Sequence, residues 1–156
     1  METAKLSEIK RALSILTHKE ILNICLRLAK YRKENKELIS YLIFDAHDPA
    51  IFIKQVKEEI DFQFSQMNLS SIYLAKKTIR KVLSTTNKYI KFAGSKQTEV
   101  ELLIYFCQCL KNSGLPFKQY PVTENLYNRQ LLKIKGAMQS LHEDLQFDYG
   151  KMLEKL

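Results

Sequence analysis

Helix-breaking residues are scarce in this chain, and that scarcity is what most limits the folds open to it. Only four of its 156 residues are glycine and three are proline. Glycine and proline interrupt regular structure most strongly, so a chain with so few spends most of its length in long elements. Apolar residues recur at spacings of three and four almost throughout, which is the period of an amphipathic α-helix. The sequence therefore predicts an all-α fold.

Capping signals divide the chain into about seven predicted helices. Ser7 can cap the first, and Thr17 with Glu20 forms a capping box that opens the second. Asp48 followed by Pro49 is a strong start signal, because the carboxylate accepts from free amides and proline has none to leave unsatisfied. Gly94 suits the left-handed turn after a helix. The predicted helices cover about 7–15, 18–33, 35–45, 49–67, 71–93, 98–112 and 124–147.

Short connections between these helices predict antiparallel neighbours in a single domain, residues 1–156. Two architectures fit: an irregular helical bundle, or a short HEAT-like right-handed α-solenoid. The periodicity also predicts which side chains face inward. They are Ile21, Ile24, Cys25, Leu28 and Ala29 in the second helix, Leu38, Ile39, Leu42 and Ile43 in the third, and Ile53, Val56, Ile60, Phe64 and Met67 in the fourth.

The cysteines and the hydropathy pattern bear on the compartment. Cys25, Cys107 and Cys109 all lie in apolar helical stretches, where a cysteine behaves as a small hydrophobic residue. The N-terminus has no apolar segment typical of a signal peptide, and no window reaches the 18 apolar residues of a membrane span. We therefore expect a cytoplasmic protein with reduced thiols and no membrane partner.

One predicted helix carries charge of a single sign. The stretch from Leu74 to Gly94 holds six basic residues and no acidic one, in a chain of net charge +8. On a helix of about 100° per residue, its basic residues fall in one arc of about 140° and its aliphatic residues in another. The basic arc is the candidate nucleic-acid-binding face, made of Tyr73, Lys76, Lys77, Arg80, Lys81, Lys88 and Lys91.

Two explanations compete for this cationic face. Like charges three or four residues apart destabilise a helix by about 0.2–0.5 kcal/mol per pair, so a face of one sign needs a reason. Acidic side chains of other helices could lie alongside and compensate it within the fold. Alternatively, the face awaits a polyanion, because lysine and arginine at helical spacing can contact phosphates and release counterions. The acidic residues available for compensation are Glu58, Glu59, Asp61, Glu143 and Asp144.

The leading hypothesis is a non-catalytic binding or scaffold module that contacts the nucleic-acid backbone. Tyr73 could stack on a base, although a lone surface tyrosine more often covers a neighbouring side chain. The sequence has no helix-turn-helix, zinc-finger or RRM signature, so recognition of a base sequence is not predicted. An acidic protein is the next candidate partner.

Few polar residues are spaced for catalysis. Asp45, His47 and Asp48 could supply metal ligands in a metal-binding protein or an enzyme, whereas the plainer interpretation makes Asp48 a helix N-cap. Cys107 and Cys109 diverge on a helix and do not form a CxxC motif. There is no glycine-rich phosphate loop, GxSxG or HExxH. We expect no enzyme, no cofactor and no bound metal.

The last predicted helix carries a possible self-association seam. Its apolar residues step by 3, 4, 3 and 4, as in the a and d positions of a heptad repeat, over a length shorter than most coiled coils. The stripe could pack into the core of the chain, or it could join two copies as a homodimeric adaptor. Its residues are Leu131, Ile134, Met138, Leu141 and Leu145.

The first third of the chain resembles a group of known sequences. The stretches LTHKEIL, from Leu16 to Leu22, and KENKELISYL, from Lys33 to Leu42, look like the opening of small, all-helical bacterial proteins of unknown function. The resemblance implies a helical bundle or helical repeat in a bacterial cytoplasm. It implies no activity and no site residues.

Overall fold

The computed structural model describes residues 2–156 and confirms an all-α fold. Over this range the chain forms eight α-helices, one π-helical turn, one 3₁₀ turn and no β-strand. No helix within these residues combines the length and apolar character needed to cross a lipid bilayer. The helices are α1 Leu6–Ser14, α2 His18–Tyr31, α3 Lys33–Ser40, α4 Pro49–Ser65, α5 Ile72–Ala93, α6 Lys96–Asn112, α7 Pro121–Met138 and α8 Glu143–Leu153.

The helices fall into two compact units, one ending at Asp45 and the other spanning Ala46–Leu156. The first contains α1, α2, α3 and the π-helical turn Tyr41–Asp45. Nothing in its three α-helices is buried. The prediction of one domain over 1–156 stays a prediction, because compactness within each unit does not measure whether the two fold independently.

In the second unit, α6 is the central helix. It packs against α4, α5, α7 and α8, and eight of its residues are buried. This arrangement fits a helical bundle. Because these four partners of α6 are all helices one or two places away along the chain, a short α-solenoid stays a prediction beside it. The link between α5 and α6 is only Gly94 and Ser95, and Gly94 has φ of 60°, a left-handed conformation that favours glycine. The two helices therefore run antiparallel.

Most predicted helix starts are confirmed by their caps. The Thr17 hydroxyl accepts from the Glu20 amide, and the Glu20 carboxylate accepts from the Thr17 amide at 2.8 Å. Ser71 and Ser95 are the caps of α5 and α6. The starts predicted at 35 and 98 lie two residues inside α3 and α6, and two other predicted starts were wrong. Lys5, not Ser7, precedes α1, and α7 begins at Pro121, because proline at the first helical position leaves no amide unsatisfied.

The predicted single helix over 124–147 was wrong, because the chain breaks between α7 and α8. After α7 the chain turns, with the amides of Ser140 and Leu141 donating to the carbonyls of Ala137 and Met138 at 3.3 and 3.0 Å. His142 then caps α8, its Nδ1 accepting from the Asp144 amide at 3.3 Å. Glu143 and Asp144 follow in the first turn, where the positive end of the helix dipole stabilises negative charge. These two acidic residues are a start signal that the heptad spacing concealed.

The predicted core faces were correct in the second unit and wrong in the first. Ile53, Val56 and Ile60 are buried, whereas Phe64 and Met67 are half-buried. Of the residues predicted to face inward in α2, only Ala29 is half-buried, and the others are exposed. Leu38 and Ile39 of α3 are also half-buried. The remaining two predicted core residues, Leu42 and Ile43, lie exposed in the π-helical turn. An apolar stripe predicts which side of a helix would be buried, but it does not show that another helix packs against that side.

Polar contacts join α4 to α6 beside the core. The Tyr105 hydroxyl lies 2.8 and 2.7 Å from the two carboxylate oxygens of Asp61, and the Cys109 thiol lies 3.5 Å from one of them. Lys57 Nζ lies 2.6 Å from Glu101 Oε1. Burial, together with the Asp61 charge, raises the pKa of both Tyr105 and Cys109.

Candidate nucleic-acid interface

The cationic residues of α5 form two rows along the helix. Lys76, Arg80 and Lys91 follow the side that faces α7, because Arg80 and Lys91 line cavities shared with α7 and Lys76 lies over the ring of Tyr120. Lys77 and Lys81 lie about 100° further round the helix and are exposed. We call these the groove row and the outer row. The opposite side of α5 is buried through Ala75, Ile79 and Val82.

Neither row has a carboxylate partner among the residues that the structure describes. Among residues 2–156, no ion pair joins Lys76, Lys77, Arg80, Lys81 or Lys91 to an aspartate or glutamate. Lys88 is half-buried, with its ammonium 4.7 Å from the centroid of the Tyr89 ring, and we do not count it among these cations.

Several of the acidic residues named for compensation are engaged elsewhere. Asp61 accepts from Tyr105, and the Glu59 carboxylate accepts from the Gln63 amide at 2.6 Å. Asp144 lies 3.4 Å from His142 at the start of α8. These contacts lie within α4, between α4 and α6, and at α8, so they leave the charge of the α5 face in place.

A groove runs between α5 and α7. One cavity of about 340 Å³ is lined by Arg80 and Leu83 of α5 and by residues of α7 that include Arg129. A second of about 320 Å³ is lined by Asn87 and Lys91 of α5, the start of α6, and Lys133 of α7. Leu83 to Asn87 is one helical turn, and so is Arg129 to Lys133, so the two cavities follow one another along both helices.

The walls of this groove are strongly basic. Arg80, Lys91, Lys96, Arg129 and Lys133 line the two cavities, with Glu99 as the one carboxylate in the described lining. Glu99 is already paired with Lys96 at 2.7 Å. Within the described part of the chain, four cations without a carboxylate partner therefore remain in the lining, two on each helix, and they face a space open to solvent.

Arg129 and Lys133 were missed by the sequence analysis. They are four residues apart on α7, so they share one side of that helix, and this spacing was the available signal. Their sequence neighbours Leu131 and Ile134 drew attention to the apolar side instead. That α7 lies beside α5 depends on how both pack on α6, and helical periodicity does not specify this pairing.

Two tyrosines lie at the Lys76 end of the groove. The ring centroid of Tyr120 is 5.2 Å from Lys76 Nζ, and Tyr120 is half-buried. Tyr73 is 75% exposed and lies three residues before Lys76 on the same helix. An exposed ring beside cations offers a flat surface on which a base can stack.

The residues named for a metal site are not brought together as a ligand set. Within residues 2–156, no group of three histidine, cysteine, aspartate or glutamate side chains could hold a metal ion. Asp48 acts as the N-cap of α4, with Oδ1 accepting from the Ile51 amide at 3.0 Å. His47 and Asp48 line a separate cavity of about 780 Å³, where Lys57 and Glu101 are paired with each other.

We expect Asp48→Ala to lower the free energy of unfolding by about 1 kcal/mol, because it removes the cap of α4. Asp48→Asn keeps a capping oxygen, so we expect its free energy of unfolding to fall by only a few tenths of a kcal/mol. Urea unfolding followed by circular dichroism measures both. If added Zn²⁺ raised the urea midpoint of the natural protein but not that of Asp48→Ala, Asp48 would be a metal ligand as well as a helix cap.

The five residues of the predicted self-association seam occupy two helices. Leu131, Ile134 and Met138 lie on α7, Leu141 lies in the turn, and Leu145 lies on α8. Ile134 is fully buried within its own chain, and the other four are half-buried. The stripe therefore contributes to the core of one chain, and self-association through it stays a prediction.

No family model, curated protein or solved structure matches this chain.

Proposed function

We propose that this protein is a non-catalytic binding module whose cationic face contacts the phosphate backbone of nucleic acid without recognising its base sequence. The observation that supports the proposal is the set of α5 cations that have no carboxylate partner among residues 2–156. Lys76–Arg80 and Lys77–Lys81 are like-charge pairs at the i,i+4 spacing, each of which destabilises α5 by a few tenths of a kcal/mol. Phosphates placed along the face would offset that repulsion and release counterions.

The chemistry of the face favours backbone over base contacts. Lysine predominates on α5, and a lysine ammonium is a flexible point charge suited to phosphate oxygens. Contacts to phosphate fix position and affinity and carry no sequence information directly. We therefore expect binding that depends strongly on salt and weakly on sequence.

The test is fluorescence polarisation of labelled mixed-sequence DNA and RNA across a potassium chloride series. The variant reverses the three cations of the groove row of α5: Lys76→Glu, Arg80→Glu and Lys91→Glu. If each cation contacts one phosphate, the slope of log affinity against log salt becomes shallower by about 2 to 3, and affinity in 0.1 M salt falls about a hundred-fold.

A matched control separates a local site from general charge attraction. Lys54→Glu, Lys118→Glu and Lys135→Glu reverse three exposed lysines outside both rows of α5, so both triple variants change the formal net charge by the same amount from +8. The control is expected to retain most of the affinity. Equal losses in the two variants would contradict a defined face. Absence of binding by the natural protein at low salt would overturn the proposal and favour an acidic protein as the partner.

A further inference from the structure

We propose that the groove between α5 and α7 binds one strand of nucleic acid, not a duplex. This inference rests on the proposed function and names the form of nucleic acid that the face takes. Arg80 and Arg129 would contact phosphates at one cavity, and Lys91 and Lys133 at the next. Tyr73 would stack on a base at the Lys76 end.

The distribution of charge across the groove supports a single strand. Arg80 and Lys91 lie on one wall and Arg129 and Lys133 on the other, so cations face the groove from both helices. A single chain of phosphates lying along the groove can be contacted from both sides at once. The phosphates of a duplex lie on the outside of a wide cylinder, which would rest on the rims of the two helices and favour the outer row instead.

The size of the groove agrees with one strand. Its two cavities, of about 340 and 320 Å³, are near the lower end of small-molecule pockets. Lys76 and Lys91 are 15 residues apart on α5, which corresponds to about 22 Å along the helix. A stacked strand advances about 3.4 Å per nucleotide, so the groove would take about six nucleotides.

The aromatic residues support a strand with unpaired bases. Tyr73 is 75% exposed, follows the basic side of α5, and is three residues from Lys76. A base can stack on this ring only if it is free of its complementary strand, and such stacking tolerates any base. These contacts to phosphate and to base rings do not use the 2′-hydroxyl, so DNA and RNA strands should bind alike.

The experiment compares three labelled probes: an oligo-dT strand, here called dT, an oligo-U strand, here called U, and a DNA duplex. Each is about 20 nucleotides long, which exceeds the expected site of about six nucleotides. Polarisation is measured with the full-length protein in 0.1 M potassium chloride. We expect dT and U to bind within three-fold of each other and at least ten-fold more tightly than the duplex. Tyr73→Ala is expected to weaken dT binding several-fold and to leave duplex binding unchanged.

Two double variants separate the groove from the outer row. Arg129→Ala with Lys133→Ala removes the α7 wall, and Lys77→Ala with Lys81→Ala removes the same charge from the outer row. Loss of two phosphate contacts should weaken dT binding by about ten- to thirty-fold in the first variant. The outer-row variant should change it by less than three-fold.

The outcomes distinguish this inference from the proposed function. If the duplex binds as tightly as dT, or the outer-row variant loses as much as the α7 variant, the groove inference fails while backbone binding by α5 stands. If none of the three probes binds at low salt, both proposals fail. The circular dichroism of every variant must match that of the natural protein, which keeps misfolding from being counted as lost binding.

Discussion

Phe106→Ala is expected to lower the free energy of unfolding by about 3–5 kcal/mol. Phe106 lies at the centre of α6, is fully buried, and contacts Phe64 of α4 with 5.7 Å between ring centroids. Removing the ring loses its transfer free energy and leaves a cavity that helices on several sides of α6 hold open. The loss is large beside the 5–15 kcal/mol that stabilise a typical domain. Urea unfolding followed by circular dichroism measures it.

Phe62→Ala is the matched control for this prediction. Phe62 belongs to α4 and is 62% exposed. Its removal leaves no cavity, so we expect a change within about 0.5 kcal/mol. Similar losses in the two variants would contradict the assignment of α6 as the central helix of the bundle.

Native Cys107 and Cys109 are expected to react with a thiol reagent at least about a thousand-fold more slowly than an unperturbed cysteine. Burial raises the pKa of each thiol from an ordinary 9.0 to about 12. For Cys109, the nearby Asp61 carboxylate accounts for part of this rise in pKa, because it disfavours a second negative charge. A pKa raised by three units lowers the thiolate fraction near pH 8 about a thousand-fold, and the thiolate is the reactive form.

The measurement is titration with a disulfide reagent at pH 8, in buffer and in guanidinium chloride. Cys25 is exposed, so we expect one fast thiol in the native protein and three after unfolding. Cys25→Ser should remove the fast phase and leave two thiols that react only in denaturant. Three comparable native rates would contradict the burial of Cys107 and the Asp61 contact of Cys109.

The starts of helices could be predicted from sequence because they depend on local chemistry. The Thr17 capping box and the Asp48–Pro49 start each involve residues within three positions, and both are present. The same locality explains the failure at α8. There, the heptad spacing over Leu131–Leu145 indicated one continuous helix, and it outweighed the start signal of Glu143 and Asp144. A single helix was therefore predicted where the chain turns.

Half of the candidate site could be predicted, and half could not. The cations of α5 share one helix, so periodicity alone places them on one side. Arg129 and Lys133 join them only because α7 lies beside α5 on the surface of α6. That proximity comes from the burial of Ile79, Ile134 and neighbouring side chains around α6, and no local pattern encodes which helices become neighbours.

The lack of buried side chains in α1, α2 and α3 has a consequence for how the protein opens. These helices have 9, 14 and 8 residues, and isolated helices shorter than about 12–15 residues are marginal in water. Regions with few buried apolar contacts open locally at a lower free energy than a packed core does. The amides of these three helices should therefore exchange with solvent well before those of α6.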